Sequence, residues 1–163
     1  MPRQRLPQHE PVGLLIGAAR RSIKQVVGRR VSRWRLTPQQ FWLLLAIQEG
    51  RAASLGDLAD RLRGDQPTAS RIVAALVRRK LVRVDEHPSD RRRMLLSCTS
   101  AGDALRAPLA KVAAEIRTAV VARMDDAEQE AVRAALRKVI ENMELIDQKS
   151  AAPRRRTGRR KSG

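Results

Sequence analysis

The stretch Gln66-Pro67-Thr68-Ala69-Ser70-Arg71-Ile72-Val73-Ala74-Ala75-Leu76-Val77-Arg78-Arg79-Lys80-Leu81-Val82 decides the fold of this chain. Ala69, Ile72, Val73 and Leu76 recur at three- and four-residue spacing, the period of one buried helix face. Pro67 suits a first helical turn, where its missing N–H costs nothing, so the helix begins at Asp65 or Gln66. A wheel of about 100° per residue then points Pro67, Ser70, Arg71, Ala74 and Arg78 outward, with Thr68 at the border. Such a helix fits the major groove of DNA, its N-terminal residues against base edges. Thr68, Ser70 and Arg71 lie at that end. Arg71 is the candidate base reader, because a guanidinium bonds guanine with two parallel donors. Ala74 permits close approach, and Arg78 and Arg79 are placed for phosphates.

The neighbours of this helix complete a motif. Ser54-Leu55-Gly56-Asp57 has the spacing of reciprocal helix caps. It opens a short helix with Leu55, Leu58, Ala59 and Leu62 inward, and Arg63-Gly64-Asp65 makes the turn between the two helices. After Lys80 the period changes. Leu81 to Val84 reads as a strand, Asp85 to Arg91 as a polar tip containing Pro88, and Arg93 to Cys98 as the returning strand. Two short helices followed by a hairpin make a winged helix-turn-helix.

Further out, Thr37-Pro38-Gln39-Gln40 starts a helix carrying Phe41, Trp42, Leu44, Leu45 and Ile47, which Gly50 ends. Before it, Val12 to about Arg33 carries the stripe Leu15, Ala19, Ile23, Val26, Val27 and Val31. After the hairpin, Thr99 or Ser100 caps a long helix with Leu105, Leu109, Val112, Ile116, Val120 and Met124 on one face. Pro108 interrupts that pattern and predicts a kink or a restart. Asp125 and Asp126 cap a last helix with Val132, Leu136, Val139, Met143 and Ile146 inward. The fold class is therefore mainly α with a small β-wing: a winged helix-turn-helix plus long N- and C-terminal helices. Residues 1–11 read as a flexible arm and residues 37–99 as the DNA-binding lobe. Residues 12–36 and 100–148 hold the flanking helices. Residues 149–163, with the run Arg154-Arg155-Arg156-Thr157-Gly158-Arg159-Arg160-Lys161, read as a disordered basic tail.

Charge points the same way. The net charge is +17, from 34 Lys and Arg against 17 Asp and Glu, and Arg outnumbers Lys 28 to 6. Six of those positive charges lie in residues 151–163, so the remainder is strongly basic too. An excess of this size calls for a polyanionic partner. Arg-rich, Ala-rich composition also accompanies GC-rich coding, so it is the layout that singles out nucleic acid.

The segments quoted above resemble the MarR family. Residues 65–82 resemble its recognition helix. The segment Asp90-Arg91-Arg92-Arg93-Met94-Leu95-Leu96-Ser97-Cys98-Thr99-Ser100-Ala101-Gly102 is similar to its wing signature, Asp-x-Arg followed by a strand ending Leu-Thr-x-x-Gly. The order of six helices and one wing agrees, over residues 12–148. The resemblance implies roles in the wing. Arg92 enters or borders the minor groove, Asp90 holds its guanidinium, and Arg91 and Arg93 meet phosphates. It also implies a homodimer built from the terminal helices, acting on double-stranded DNA at a near-palindromic operator as a repressor. A small aromatic or anionic effector is a further implied partner, with Trp34 and Trp42 as candidate pocket residues. Two positions depart from the pattern: Lys80 stands where the family has Gly, and Cys98 where it has Leu.

Other classes find less support. A nonspecific architectural DNA binder is the alternative that the basic tail favours. No Gly-rich phosphate loop or nucleophile–base pair suggests an enzyme, and no cofactor is implied. His9 and His87 are far apart in sequence and form no metal-ligand pattern. Cys98 is alone, reads as a buried core thiol, and suits a reducing compartment. No apolar run reaches the roughly 20 residues of a membrane span, and the N-terminus lacks a signal region, so a cytoplasmic protein is expected.

Overall fold

A computed structural model describes residues 10–50, 54, 56–58, 66–87 and 90–151, without the side chains of 87, 90–93 and 149–151. Contacts divide the chain into two units, one up to Val120 and one from Val121 onward.

In the first unit, α1 (Val12–Val31) begins at Pro11, whose carbonyl accepts from the Leu14 N–H at 2.8 Å. Only its C-terminal half enters the core, through Val27 and Val31 with Ile23 and Val26 beside them. Val12, Leu14, Leu15 and Ala19 are exposed, so the N-terminal half of the expected stripe is not buried among the described residues. A 3-10 turn (Ser32–Trp34) ends the helix, and Arg35 takes the left-handed conformation at φ 55°.

The reciprocal cap at Thr37 forms as the sequence predicts. Thr37 Oγ1 accepts from Gln40 N at 3.2 Å, and Gln40 Oε1 accepts from Thr37 N at 3.0 Å. The helix it starts, α2 (Pro38–Gln48), is buried from Leu43 to Gln48 and at Phe41, so it is the central post of the core. Ser54 and Asp57 also cap each other, at 2.9 and 3.2 Å, and open the turn Gly56–Leu58 with Leu58 fully buried. Leu55, Ala59, Leu62 and the turn at Arg63–Asp65 lie outside the described residues.

Next, α3 (Gln66–Arg78) buries Ala69, Ile72, Val73 and Leu76, the face its spacing predicts. It ends at Lys80, whose φ is 56°. Leu81 N bonds back to Leu76 O at 3.0 Å and Lys80 N to Val77 O at 2.8 Å, the double closure of a left-handed helix cap. Lysine thus occupies a conformation that glycine adopts at lower cost.

The hairpin is longer than the sequence suggests. Strand β1 (Val82–His87) pairs antiparallel with β2 (Asp90–Cys98) from Val82↔Cys98 to Glu86↔Met94, with an irregularity before His87↔Asp90. Asp85 to His87 and Asp90 to Arg91 are therefore strand, not polar tip. A ladder exposed to water on one face does not require apolar residues, so polarity alone hid these positions. Leu81, Val82 and Leu96 are buried at its root.

Thr99 caps a one-turn helix, α4 (Ser100–Asp103), accepting from Gly102 N at 3.1 Å. The chain restarts as α5 (Arg106–Val121), with Pro108 in its first turn, where a restart tolerates it. Leu109, Val112, Ala113 and Ile116 complete the core; Val120 is exposed.

In the second unit, α6 (Asp126–Ala151) is a 26-residue helix capped reciprocally by Asp125 and Glu128, at 2.8 and 2.9 Å. It continues three residues beyond the expected boundary at 148. The Glu130 carboxylate bonds Arg133 and Arg137, both at 3.2 Å, which lowers its pKa. None of its described residues is buried. Val132, Leu136, Met143 and Ile146, read as inward, are exposed in the single chain, and Val139 is half-buried.

Candidate nucleic-acid interface

With Ala69, Ile72, Val73 and Leu76 anchored in the core, α3 presents its opposite face to solvent. Pro67, Ser70, Arg71, Ala74 and Arg78 are all exposed, and Thr68 is half-buried at the border. This face combines a small residue between two long cations with a hydroxyl near the N-terminal end. Chemically it can approach a polyanion closely and offer donors to it.

Arg79 does something else. It was placed with Arg78 for phosphates, but its guanidinium turns back into the protein. Its Nη1 donates to the Arg35 carbonyl and its Nη2 to the Trp34 carbonyl, each at 2.7 Å. Two carbonyls left exposed by the left-handed end of α1 capture it. The end of α3 is thereby clasped to the end of α1. No periodicity signals such a contact, because its partners are backbone atoms 44 and 45 residues away.

The root of the hairpin is fixed just as firmly. Thr99 Oγ1 donates to the Lys80 carbonyl at 2.6 Å and Thr99 N to the Leu81 carbonyl at 3.1 Å. Gly102 lies so close to the Leu81 carbonyl that any Cβ there would overlap it. The buried Gln48 donates from Nε2 to the Gly102 carbonyl at 2.7 Å, and Arg106 donates to the Gln48 carbonyl. The Thr-x-x-Gly of the wing signature is thus the joint that holds α2, α3 and both strands at one point.

Along the hairpin, Arg83 Nε donates to Ser97 Oγ at 2.7 Å and lies 3.0 Å from Asp85 Oδ2. Ser97 also donates to Asp85 at 3.2 Å. This cross-strand triad was not read from the sequence. Its signal was there: Arg83 and Asp85 share one strand face, and Ser97 lies opposite Arg83. The backbone of Asp90, Arg91, Arg92 and Arg93 runs in the outer part of β2, and their side chains lie outside the described residues.

Trp34 and Trp42 are both half-buried against the core. The Arg33 guanidinium lies 4.0 Å over the Trp34 ring, and the Trp42 ring is 4.6 Å from Phe41. Neither lines the cavity of about 370 Å³ formed by Arg29, Arg30, Arg33, Lys111, Val112 and Glu115. Cys98 is half-buried rather than fully buried. Its thiol pKa is pushed up from 9.0 to about 11 by burial and by the nearby Asp103, against the opposing pull of Arg106. Among the described residues, no group of His, Cys, Asp and Glu is disposed to hold a metal ion. None of their helices is long and apolar enough to cross a membrane.

Comparison with known proteins places this geometry. The model of the MarR family matches residues 36–93, from just before α2 into β2. The transcriptional repressor NicR of Pseudomonas putida is 29% identical over 135 residues, covering 83% of this chain and 85% of that one. A solved structure of Bordetella bronchiseptica BpsR, whose DNA binding is regulated by 6-hydroxynicotinic acid, is 31% identical with a TM-score of 0.70. The match covers 82% of this chain and 97% of that chain. The S. aureus MepR–DNA complex has the same fold, with a TM-score of 0.75 at 21% identity, covering 82% and 99%.

Proposed function

The chain belongs to the MarR family, and from that premise we propose how it acts: as a homodimeric, sequence-specific DNA-binding regulator of transcription, most simply a repressor. The observation that carries this reading is the outer face of α3. A helix anchored by four buried residues offers Ser70, Arg71, Ala74 and Arg78 to solvent, beside a hairpin with three successive arginines.

In this reading Arg71 bonds a base edge, Thr68 and Ser70 assist at the helix start, and Ala74 lets the helix sit deep. Arg78 meets a phosphate. In the wing Arg92 lies at the minor groove, steadied by Asp90, while Arg91 and Arg93 meet the backbone. Residues 37–99 form the DNA-binding lobe, and the flanking helices pair two chains. The exposed apolar residues of α1 and α6 support that pairing, since a single chain leaves them in water. A two-fold dimer sets two recognition helices about one DNA turn apart, so the operator is near-palindromic.

Regulation follows by release. A small aromatic or anionic effector, of the kind 6-hydroxynicotinic acid represents for BpsR, changes the spacing of the two helices. Trp34 and Trp42 remain candidates for its apolar contacts. The protein works by occupying DNA rather than by catalysis, in the cytoplasm, where a regulator meets its operator.

Selection from randomised duplex DNA at about physiological salt tests the proposal. Enrichment of one near-palindrome with half-sites about a turn apart supports it. Uniform binding of all sequences would replace it with the architectural alternative.

A further inference from the structure

Arg79 follows the last residue of α3 and is half-buried, while its neighbour Arg78 stays exposed. Its Nη1 and Nη2 reach the carbonyls of Arg35 and Trp34, each at 2.7 Å. Both bonds are charge-assisted, and both leave one rigid guanidinium plane. The apolar anchors of α3 hold it differently. Burial of Ala69, Ile72, Val73 and Leu76 opposes exposure but is non-directional, so small slides and rotations of the helix stay cheap. Two short bonds from a planar group resist them, because hydrogen bonds weaken steeply with angle.

The acceptors are themselves fixed. Arg35 closes the 3-10 turn after α1 in the left-handed conformation, its N–H bonded to the Ser32 carbonyl at 2.7 Å. Trp34 packs against the core, and the Arg33 guanidinium covers its ring at 4.0 Å. From this turn α1 runs back to the exposed Val12, Leu14 and Leu15, an apolar end suited to a second chain. The clasp thus joins the helix read as the DNA reader to a helix read as part of the dimer surface.

We propose that Arg79 is a positioning residue for DNA recognition: by tying the end of α3 to the end of α1, it sets the distance and phase between the two recognition helices of the dimer, and so the half-site spacing that the protein selects. This rests on the reading of α3 as the groove helix and of α1 as part of the pairing surface. Arg79 itself touches no DNA. A recognition helix that samples several placements binds through only its competent fraction, so loosening it weakens the matched site. One extra base pair moves a half-site by about 3.4 Å along the duplex and turns it by about 34°. A fixed pair of helices rejects such a site, and a loosened pair tolerates it.

The test uses the full chain and the operator selected from randomised DNA, with one base pair inserted or removed between its half-sites. Melting temperature and mass in solution first establish whether Arg79→Lys and Arg79→Gln are folded dimers. The parent should bind the altered spacings about tenfold or more weakly than the selected one, since the duplex must twist or stretch to fit. Arg79→Lys keeps the charge but not the planar fork of donors. It should lose about fivefold or more on the selected operator and hardly anything on the altered ones, so that the spacing preference flattens. Its preferred bases within each half-site, and its slope of affinity against salt, should stay those of the parent. Arg79→Gln should flatten the spacing preference likewise.

A folded variant that keeps the parent's spacing preference overturns the proposal. So does an equal loss on every DNA, with the salt slope lowered by about one counterion per chain in Arg79→Gln and restored in Arg79→Lys, which would make Arg79 a phosphate contact. Failure of both variants to fold would make Arg79 a stability residue alone, with the same result. If the parent prefers bases but no spacing, this inference fails while the sequence-specific regulator stands. If the parent prefers no DNA sequence, both fail together.

Discussion

Gly102 and Leu81 meet backbone to backbone: a side chain on the glycine would occupy the space of the Leu81 carbonyl oxygen. That carbonyl also accepts the Thr99 N–H, and the Gly102 carbonyl accepts from buried Gln48. Four elements therefore share one joint that cannot widen without breaking hydrogen bonds. Gly102→Ala is expected to destabilise the protein by about 1–3 kcal/mol or more, the usual cost of overpacking against an unyielding neighbour. Thermal and denaturant melts check this. A melting temperature within about a degree of the parent would mean that the joint relaxes freely.

Arg71 and Arg78 share the exposed face of α3 but sit two turns apart, which separates their expected effects. Arg71→Ala should cost about 1–3 kcal/mol on the preferred operator and relax preference at one base position in each half-site. Arg78→Ala should weaken binding evenly across sequences and flatten the salt dependence by about one counterion per chain. Binding profiles over single-base operator variants distinguish the two. Interchanged behaviour would mean that α3 enters its groove by the other end.

The wing assignment makes a separate claim. Arg92→Ala should weaken operator binding while leaving the melting temperature unchanged, since Arg92 lies in the outer part of β2, away from the buried root at Val82 and Leu96. Affinity equal to the parent at moderate salt would remove Arg92 from the interface. Asp90→Ala should reproduce part of the loss if Asp90 orients that guanidinium.

The inward face of α3 and the caps at Thr37, Ser54 and Asp125 were legible in the sequence, because each depends on residues within four positions of one another. The Arg79 clasp was not legible, and neither was the Gln48–Gly102 bond. Both join side chains to backbone across 44 or more residues, and local spacing holds no record of them. The strand ends at Asp85–His87 and Asp90–Arg91 were missed for another reason: on an exposed ladder the backbone pairs while the side chains stay polar. Lys80 stands where the family has Gly and takes the left-handed conformation all the same, although the residue itself argues against it.

Leu136, Met143 and Ile146 are 41%, 55% and 58% exposed on α6, which is too much apolar surface for a helix left in water. If they pair two chains, Leu136→Asp with Met143→Asp should shift the mass in solution from a dimer to the 18.3 kDa monomer. Operator affinity should fall steeply with it, because one half-site then binds alone. Light scattering coupled to size exclusion checks this. A dimer that survives both substitutions would place the interface elsewhere.

Cys98 packs beside the joint at Gly102, and burial together with Asp103 raises its thiol pKa to about 11. The thiolate is the reactive form, so the native protein at pH 8 should react with a disulfide reagent about a hundredfold more slowly than the unfolded chain. Equal rates would show that the hairpin root opens readily. The same shift has a sign for stability. Folding favours the protonated thiol, so its contribution is complete below about pH 9 and is lost as the pH rises toward 11. Cys98→Ala should remove that part of the alkaline slope. If the slope is identical in the variant, another group is responsible for the alkaline loss, and the thiol is more solvated than its packing indicates.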